Sequence, residues 1–275
     1  MAHDQVTTLR ADGRWNGNVT SRPLPAGALD GLSAEERRTL SDAWLARAST
    51  ERRVGLSFGV VHEALLKLDA PKTLCDLADR AIDDEMRHGE LCRMVASHYA
   101  GKEVDLLPDL PFSYPPHEAA SDALRPLLHV VGQCCFNETI ASSFLETSVD
   151  AATDPLAKAA LRELLSDEID HGRIGWATLA AVPAPLRGQL QAWLLPLARG
   201  NLKMWRDASR PYPDSPAFEA HGAPGAARVE QALLTAFVGL IIPGMQALGF
   251  DVAPIQAWVS RGAPTNDDPS LYVAS

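Results

Sequence analysis

Two copies of one short motif place carboxylates and imidazoles where they could share a metal ion. Residues 84–88 read Asp-Glu-Met-Arg-His, and residues 167–171 read Asp-Glu-Ile-Asp-His. On an α-helix, a Glu and a His three residues apart lie on the same face about one turn apart. Each copy can therefore offer one carboxylate oxygen and one imidazole nitrogen to a single ion. One copy alone would be far more often a solvated pair, but the repetition favours metal binding.

Two further glutamates, one upstream of each motif, complete a set of candidate ligands. The chain then reads Glu, Glu-x-x-His, Glu, Glu-x-x-His. The candidate metal ligands are Glu51, Glu85, His88, Glu138, Glu168 and His171. Four ionised carboxylates in a dry core would repel one another, whereas two divalent cations would balance their charge. Six ligands on two ions would also leave open coordination positions, which reactive metal sites require.

Four predicted helices carry these ligands. A capping box at 33–36 opens a helix to about residue 68, and further helices are predicted over about 71–100, 121–150 and 155–183. Gly101 is the predicted C-cap of the second helix. The apolar residues of each helix recur at spacings of three or four, and the candidate ligands fall within these stripes. The ligands are therefore expected to face a shared core.

The levels of the ligands along the helices also agree. Glu51 lies 19 residues before the centre of the first turn, and the first Glu-x-x-His is centred 16.5 residues after it. At the rise of an α-helix these levels match within about 4 Å. Glu138 matches the second motif in the same way. Glu63 and Glu146 each lie only 7 residues before their turn and fail the test.

The predicted fold is all-α, with a four-helix bundle over residues 33–182. Prolines exclude a regular helix over most of 102–117, and this connection is long enough to traverse the bundle between helices 2 and 3. Residues 1–32 are predicted to form an extended N-terminal arm. Residues 183–275 are predicted to form a C-terminal extension packed on the bundle or on a partner subunit, with two helices over 184 to about 207 and 225 to about 249.

Composition limits the partners and the compartment. The net charge of −10 and the pI near 5.2 argue against a nucleic-acid partner. The most apolar stretch, 233–250, is short for a bilayer and contains Gly and Pro, so a packed helix is expected rather than a membrane anchor. Four cysteines without a Cys-x-x-Cys motif, and an N-terminus without a secretory signal, predict a reduced, cytoplasmic setting.

The order of the ligands resembles that of the ferritin-like di-iron carboxylate superfamily over about 33–182. The resemblance implies a ferritin-like bundle that holds two iron ions, or a Mn/Fe pair, and reacts with O₂. The first motif is also similar to the Asp-Glu-x-Arg-His signature of bacterial multicomponent monooxygenase hydroxylases. By that similarity Asp84 and Asp167 orient the ligating histidines, and Ser142, one turn after Glu138, is a candidate pocket hydroxyl.

Three functions are consistent with these features. The first is a di-iron oxygenase or oxidase that oxidises or hydroxylates a small organic substrate, with electrons from a separate reductase or a ferredoxin-type donor. The second is an iron-handling or peroxide-reducing protein, similar to ferritins and rubrerythrins. The third is a non-catalytic, metal-stabilised interaction module whose helices after residue 183 form a homodimer surface. The long C-terminal extension and the missing Cys-x-x-Cys favour the first.

Several other residues are expected to lie near the predicted site. Small or polarisable residues are expected to leave room beside the metals; they are Gly55, Ala81, Cys134, Ser142 and Gly175. Aromatic residues at helical spacing are more often core than pocket, which is the interpretation given to Phe58 and Trp176. By the same reasoning His62 is interpreted as a core histidine and not as a ligand.

Overall fold

Helices form the regular structure of this chain. The computed structural model describes residue 15 and residues 17–108, 111–208 and 213–264, and within these ranges no β-strand is present. The all-α prediction is confirmed. Two parts of the predicted organisation lie outside the described residues. They are residues 265–275 at the end of the predicted C-terminal extension and residues 1–14 and 16 of the predicted N-terminal arm.

The first two long helices begin and end where the sequence signals place them. Helix α1 spans Ala34–Lys67 and α2 spans Lys72–Ala100. Ser33 accepts a hydrogen bond from the Glu36 backbone N–H at 3.2 Å, and the Glu36 carboxylate accepts one from the Ser33 backbone at 2.8 Å. This reciprocal pair is the predicted capping box. Gly101 ends α2 with a φ of 67°, a left-handed conformation that glycine adopts without strain.

The third rod of the bundle differs from its prediction. It was expected to be one α-helix from about residue 121, but residues 121–124 form turns. Helix α3 covers Arg125–Val130, a π-helical segment covers Val131–Asn137, and α4 covers Glu138–Ala151. The fourth rod, α5, spans Pro155–Ala181, and Asp154 caps it by accepting from the Ala157 N–H at 2.9 Å. Apolar periodicity does not distinguish a π-helical insertion from a continuous α-helix.

The four rods pack in a closed ring. Helix α1 lies against α2 and α3, while α5 lies against α2, α4 and the π-helical segment. Helix α2 and the rod 125–151 therefore face each other diagonally. The Tyr99 hydroxyl, at the end of α2, lies 3.0 Å from His221 Nδ1, and this nitrogen is 3.9 Å from the carboxylate of Asp154, which caps α5. The end of α2 thus lies near the start of α5. The end of α4 lies there too, because a short turn joins α4 to α5.

The long connection after α2 follows from this arrangement. It leaves the end of the bundle marked by Tyr99 and returns at the opposite end, where Tyr114 packs on His129 of α3 with ring centroids 5.0 Å apart. In the described part of the chain it therefore runs along the length of the bundle, and α2 and α4 run in the same direction. This is the course that the proline-rich segment predicted.

The residues after α5 pack on the bundle of the same chain. Helix α7 lies against the π-helical segment, and α9 lies against α4. The elements are α6 Ala184–Leu190, a 3-10 turn Gln191–Trp193, α7 Leu194–Ala208, α8 Pro216–Ala220, α9 Ala226–Ala236, a second π-helical segment Phe237–Ile241, α10 Ile242–Ala247 and α11 Ala253–Ser260. The predicted helices at 184–207 and 225–249 are present but interrupted. The short helices α8 and α11 were not predicted, because a few residues show no period.

The most apolar helical run, Ala226–Ala247, has one face in the protein core. By length and composition alone it could cross a membrane, and 39% of its most apolar window is buried inside the protein. Phe237 and Met245 are fully buried, whereas Val238 and Leu240 are 60% and 49% exposed. Core helices of soluble proteins pass the same test of length and composition.

The residues that precede α1 lie across α2 and α5 without helical structure. The Ala28 N–H donates to Asp154 at 2.7 Å, and the Ser21 hydroxyl donates to Glu163 at 2.7 Å. The carbonyl of Val19 accepts from Arg87 of the first motif at 3.0 Å. The described part of the arm, 17–32, is therefore tied to the face of the bundle that carries both motifs.

Candidate metal centre

The six predicted ligands converge in the middle of the bundle. Their ligand atoms form two groups, and within each group all atoms lie within 4.8 Å of one another. The first site contains Glu51, Glu85, His88 and Glu168, and the second site contains Glu85, Glu138, Glu168 and His171. Glu85 and Glu168 belong to both. All six side chains are buried, and Glu51 is the most exposed at 8%.

Both imidazoles turn the same nitrogen toward the shared carboxylates. His88 Nδ1 lies 3.5 Å from a Glu85 oxygen and 3.8 Å from a Glu168 oxygen. His171 Nδ1 lies 3.1 Å from Glu85 and 3.3 Å from Glu168. Each shared carboxylate therefore faces both histidines, as a carboxylate that bridges two ions would.

The donor set fits divalent cations. Both carboxylate oxygens of Glu85 and the Nδ1 atom of His88 are buried without a hydrogen-bond partner among the described residues. Unpaired polar atoms of this kind are costly in a protein interior. A cation at each site would satisfy them and would neutralise the four glutamates. Carboxylate and imidazole ligands suit iron and manganese, and the ligand types do not select between them.

In the absence of cations, protons balance part of the negative charge. Burial raises the pKa of Glu51 well above its usual value, and repulsion from Glu85 and Glu168 adds to the shift. Burial and the proximity of Glu168 raise the pKa of Glu138 in the same way. Burial also acts on Glu85, but its contacts with the two histidines outweigh this effect and hold its pKa at about 2.

The histidines hold their protons more tightly than usual. Burial lowers the pKa of His88, but its hydrogen bond to Asp167 and its contact with Glu85 outweigh burial and raise the pKa to about 10. The pKa of His171 is also raised well above its usual value, because Asp84, Glu168 and Glu85 together outweigh burial. A metal ion that binds here must therefore displace protons.

The aspartates of the two motifs support the histidines in a crossed arrangement. His88 Nε2 lies 3.0 Å from an Asp167 oxygen, within hydrogen-bond distance. His171 Nε2 faces an Asp84 oxygen at 3.6 Å, which is longer than a hydrogen bond. Each aspartate thus contacts the histidine of the other motif. Helical spacing within one motif cannot reveal this exchange, because it depends on how α2 packs against α5.

Arg87 connects the first site to the N-terminal arm. Its guanidinium donates to Asp167, to a Glu163 oxygen at 3.2 Å and to the carbonyl of Val19 at 3.0 Å. Asp167 in turn contacts His88. The position of His88 is therefore fixed by a chain of contacts that reaches the surface of the bundle. The equivalent position of the second motif, Asp170, pairs instead with Arg80 and Arg173.

The π-helical segment positions Glu138. The side-chain amide N–H groups of Gln133 and Asn137 both donate to Glu138 Oε1. The Ser57 hydroxyl donates to the side-chain oxygen of Gln133 at 2.7 Å. Residues five apart share a face in a π-helix, whereas they point about 140° apart in an α-helix. Gln133 was therefore missed by reasoning from α-helical spacing.

The small residues near the site serve close helix packing, and the expectation that they leave room beside the metals is wrong. A Cβ atom on Gly175 would lie 2.6 Å from Cys134 Cβ and 2.8 Å from the backbone N of Cys135. A Cβ atom on Gly55 would lie 2.7 Å from Met86 Cε. Gly175 thus allows the π-helical segment to approach α5. Ala81 and Cys134 are likewise fully buried in the core.

A cavity of about 550 Å³ lies beside the cluster, between α1, the rod 125–151 and α7. Three of the glutamates reach it: Glu51, Glu138 and Glu168. Its wall includes Trp193 and Trp205 from the C-terminal extension. Residues after the bundle therefore help to enclose the space next to the candidate ligands.

The other candidates of the sequence analysis lie apart from this cavity. Ser142 is half-buried and does not line it, whereas Ser57, whose hydroxyl contacts Gln133, does. Phe58 is fully buried with its ring 4.9 Å from that of His171, so it packs behind the ligands. Trp176 donates to Thr139 at 3.2 Å, and His62 belongs to neither metal site.

Comparison with known proteins finds no family model, no curated protein and no solved structure that matches the chain. The resemblance to the ferritin-like superfamily therefore stays a prediction from the motifs.

Proposed function

We propose that this protein is an O₂-dependent oxidoreductase with a two-metal centre of iron, or of manganese and iron. It oxidises or hydroxylates a small organic substrate in the cavity beside the cluster. One observation carries the proposal: two buried ligand groups share Glu85 and Glu168 next to a cavity that three of the glutamates reach. A ferritin-like assignment of the bundle is part of the proposal.

Each ion would have four ligand residues from the protein. Glu85 and Glu168 would bind both ions, Glu51 and His88 would complete the first site, and Glu138 and His171 would complete the second. When bound, the metals would supply the open coordination positions that O₂ reduction requires and would pass on electrons received from a donor. Hydroxylation places one oxygen atom of O₂ in a C–H bond and reduces the other to water, with two electrons and two protons. The electrons come from a separate donor, such as a reductase or a ferredoxin-type protein.

The protein residues around the ligands have separate tasks. Gln133 holds one oxygen of Glu138 and leaves the other free to point to the second site. The Ser57 hydroxyl, on the cavity wall, donates to the Gln133 side-chain oxygen and so fixes the amide that holds Glu138. The C-terminal helices keep bulk water from the cluster by forming part of the cavity wall.

The test is O₂ uptake by protein loaded with Fe(II) under anaerobic conditions. We expect rapid uptake that saturates at two Fe(II) per chain, and repeated uptake when a reductant restores Fe(II). Glu85→Ala should abolish the uptake. Glu63→Ala should not change it, because Glu63 is an exposed glutamate of the same hairpin outside both sites.

Two outcomes would contradict the proposal. Iron oxidation that continues far beyond two ions per chain and yields a mineral core would indicate iron storage. Bound iron that does not react with O₂ would indicate a metal-stabilised interaction module.

A further inference from the structure

A fixed arginine lies in the cavity beside the metal centre. Arg47 is one helical turn before Glu51 on α1, and both line the cavity. The Arg47 Nη2 group donates to the carbonyl of Gly222 at 3.1 Å. The guanidinium carbon lies 4.5 Å from the ring centre of Trp44 and 5.6 Å from that of Phe144. The backbone carbonyl and the two rings hold the side chain in one position.

One face of this guanidinium has no partner. Arg47 Nη1 is buried and makes no hydrogen bond within the described residues; Glu51, one turn away, is an acidic group near enough to feel the charge of Arg47. A buried cationic N–H group without an acceptor is costly. The planar guanidinium is suited to a carboxylate, which it can bind through two parallel hydrogen bonds.

The other basic groups of the cavity are not equivalent to Arg47. Arg53 is exposed, at the rim. Burial lowers the pKa of His117 to about 4, and the neighbouring His129 adds to the shift. Burial also lowers the pKa of His129, so both histidines are neutral at pH 7. Arg47 is therefore the inner fixed cation of the described cavity wall.

The remainder of the cavity suits an apolar body. Much of the wall between Arg47 and the π-helical segment is apolar: Val54, Val61, Leu128, Phe144, Leu145 and Leu197. Arg47 and Glu51 are one turn apart, which is about 6 Å along α1. A ligand anchored at Arg47 by one end would place atoms a few bonds away at the level of the metal ligands. The volume of about 550 Å³ lies within the range of small-molecule sites.

We infer that the substrate of the proposed oxidoreductase is a monocarboxylic acid with an apolar aromatic or alkyl body, anchored through its carboxylate to Arg47. That the bound acid is a substrate rests on the proposed function. That the cavity binds such an acid does not rest on it. Arg47 selects and positions the acid, and the apolar wall directs its body toward the cluster. An equivalent ester or amide lacks the charge that would pair with the guanidinium.

The test measures binding to protein loaded with Zn(II), which is redox-inert, by calorimetry. The probes are benzoate, 4-phenylbutanoate and octanoate, each compared with its neutral amide. We expect at least one acid to bind ~10-fold or more tightly than its amide. Arg47→Met should remove this preference and Arg47→Lys should retain part of it. Arg38→Met removes an exposed arginine of the same helix that does not line the cavity, and this matched control should leave the preference unchanged.

Each contrary result overturns the inference. Acids and amides that bind equally, a preference that persists in Arg47→Met, or no binding of any acid at millimolar concentration would do so. Because Zn(II) does not reduce O₂, acid binding can succeed while O₂ uptake by the iron-loaded protein fails, and the reverse. The two failures are therefore distinguishable.

Discussion

The two candidate metal sites have the same types of ligand residue, but different neighbouring residues support those ligands. In the first site His88 is fixed by a hydrogen bond to Asp167, which Arg87 ties to the N-terminal arm. In the second site His171 faces Asp84 at the longer distance of 3.6 Å, and the carboxylate of Glu138 is instead held by two amide groups. The first site is thus stiffened at its histidine and the second at its glutamate.

The difference shows how a repeated ligand pattern can produce unequal sites. The ligands follow from the repeat, whereas their supports follow from the elements packed around them. When a histidine binds a metal through one ring nitrogen, the hydrogen bond that its other ring nitrogen makes to a neighbouring residue affects metal affinity strongly. We therefore expect the two ions to bind with different affinities, and the following substitutions test the sites separately.

The largest expected effect comes from removing a shared ligand. Glu85→Ala should lower the metal content from two ions per chain to none, because both sites lose a ligand. Glu51→Ala should leave one ion, since Glu51 belongs to the first site alone. Metal analysis of the purified variants measures this. Equal losses in the two variants would show that Glu85 is not shared.

The next effect concerns the close contact between α5 and the π-helical segment. Gly175→Ala should lower the free energy of unfolding by ~1–3 kcal/mol, because the added Cβ overlaps Cys134 and Cys135. Displacing this segment should also weaken the second site and leave the first intact. Chemical denaturation and metal titration measure the two effects.

Gly59→Ala is the matched control for that substitution. Gly59 lies inside α1, where an added Cβ would meet no atom within 4 Å. It should leave metal binding unchanged and stabilise the helix by up to ~1 kcal/mol. If Gly175→Ala behaves like this control, the π-helical segment does not depend on the glycine.

A smaller effect compares the crossed aspartates. Asp167→Asn should weaken the first site ~10–100-fold, because His88 loses its charged partner. Asp84→Asn should weaken the second site less, since Asp84 stands farther from His171. Competition titrations with a chelator measure both affinities. A larger loss of metal affinity in Asp84→Asn would contradict the expectation that Asp167 supports its histidine more strongly than Asp84 does.

The parts of the fold that were predictable are those with local signals. The capping box, Gly101 and the matching levels of Glu51 and the first motif defined the first hairpin and its ligands. These features depend on helix geometry, and helix geometry can be calculated from the number of residues between two positions in the sequence.

The parts that were missed depend on packing between distant segments. The π-helical segment places Gln133 beside Glu138, and no α-helical period indicates it. The crossed aspartates require the relative position of α2 and α5. Gly175 was expected to open space and instead brings two helices together. The role of the C-terminal helices in the cavity wall could not be predicted, because they carry no motif.

A further expected effect is shared by the two candidate sites and appears as proton release when metal binds. The pKa of His88 is raised to about 10 and that of His171 is also raised, so both are protonated at pH 7 in the metal-free protein. Cations displace these protons, and the apparent metal affinity should therefore rise as pH increases toward 10. Calorimetry in buffers of different ionisation enthalpy measures the protons released. Binding without proton release would place the metal elsewhere.

The central claim is that four helices hold two cations through six side chains. Diffraction from metal-loaded crystals at the iron and manganese absorption edges tests it most directly. We predict two anomalous peaks roughly 3.5–4 Å apart, the spacing of two-metal sites, with Glu85 and Glu168 in contact with both. A single peak, or no peak within reach of these two glutamates, would contradict the account.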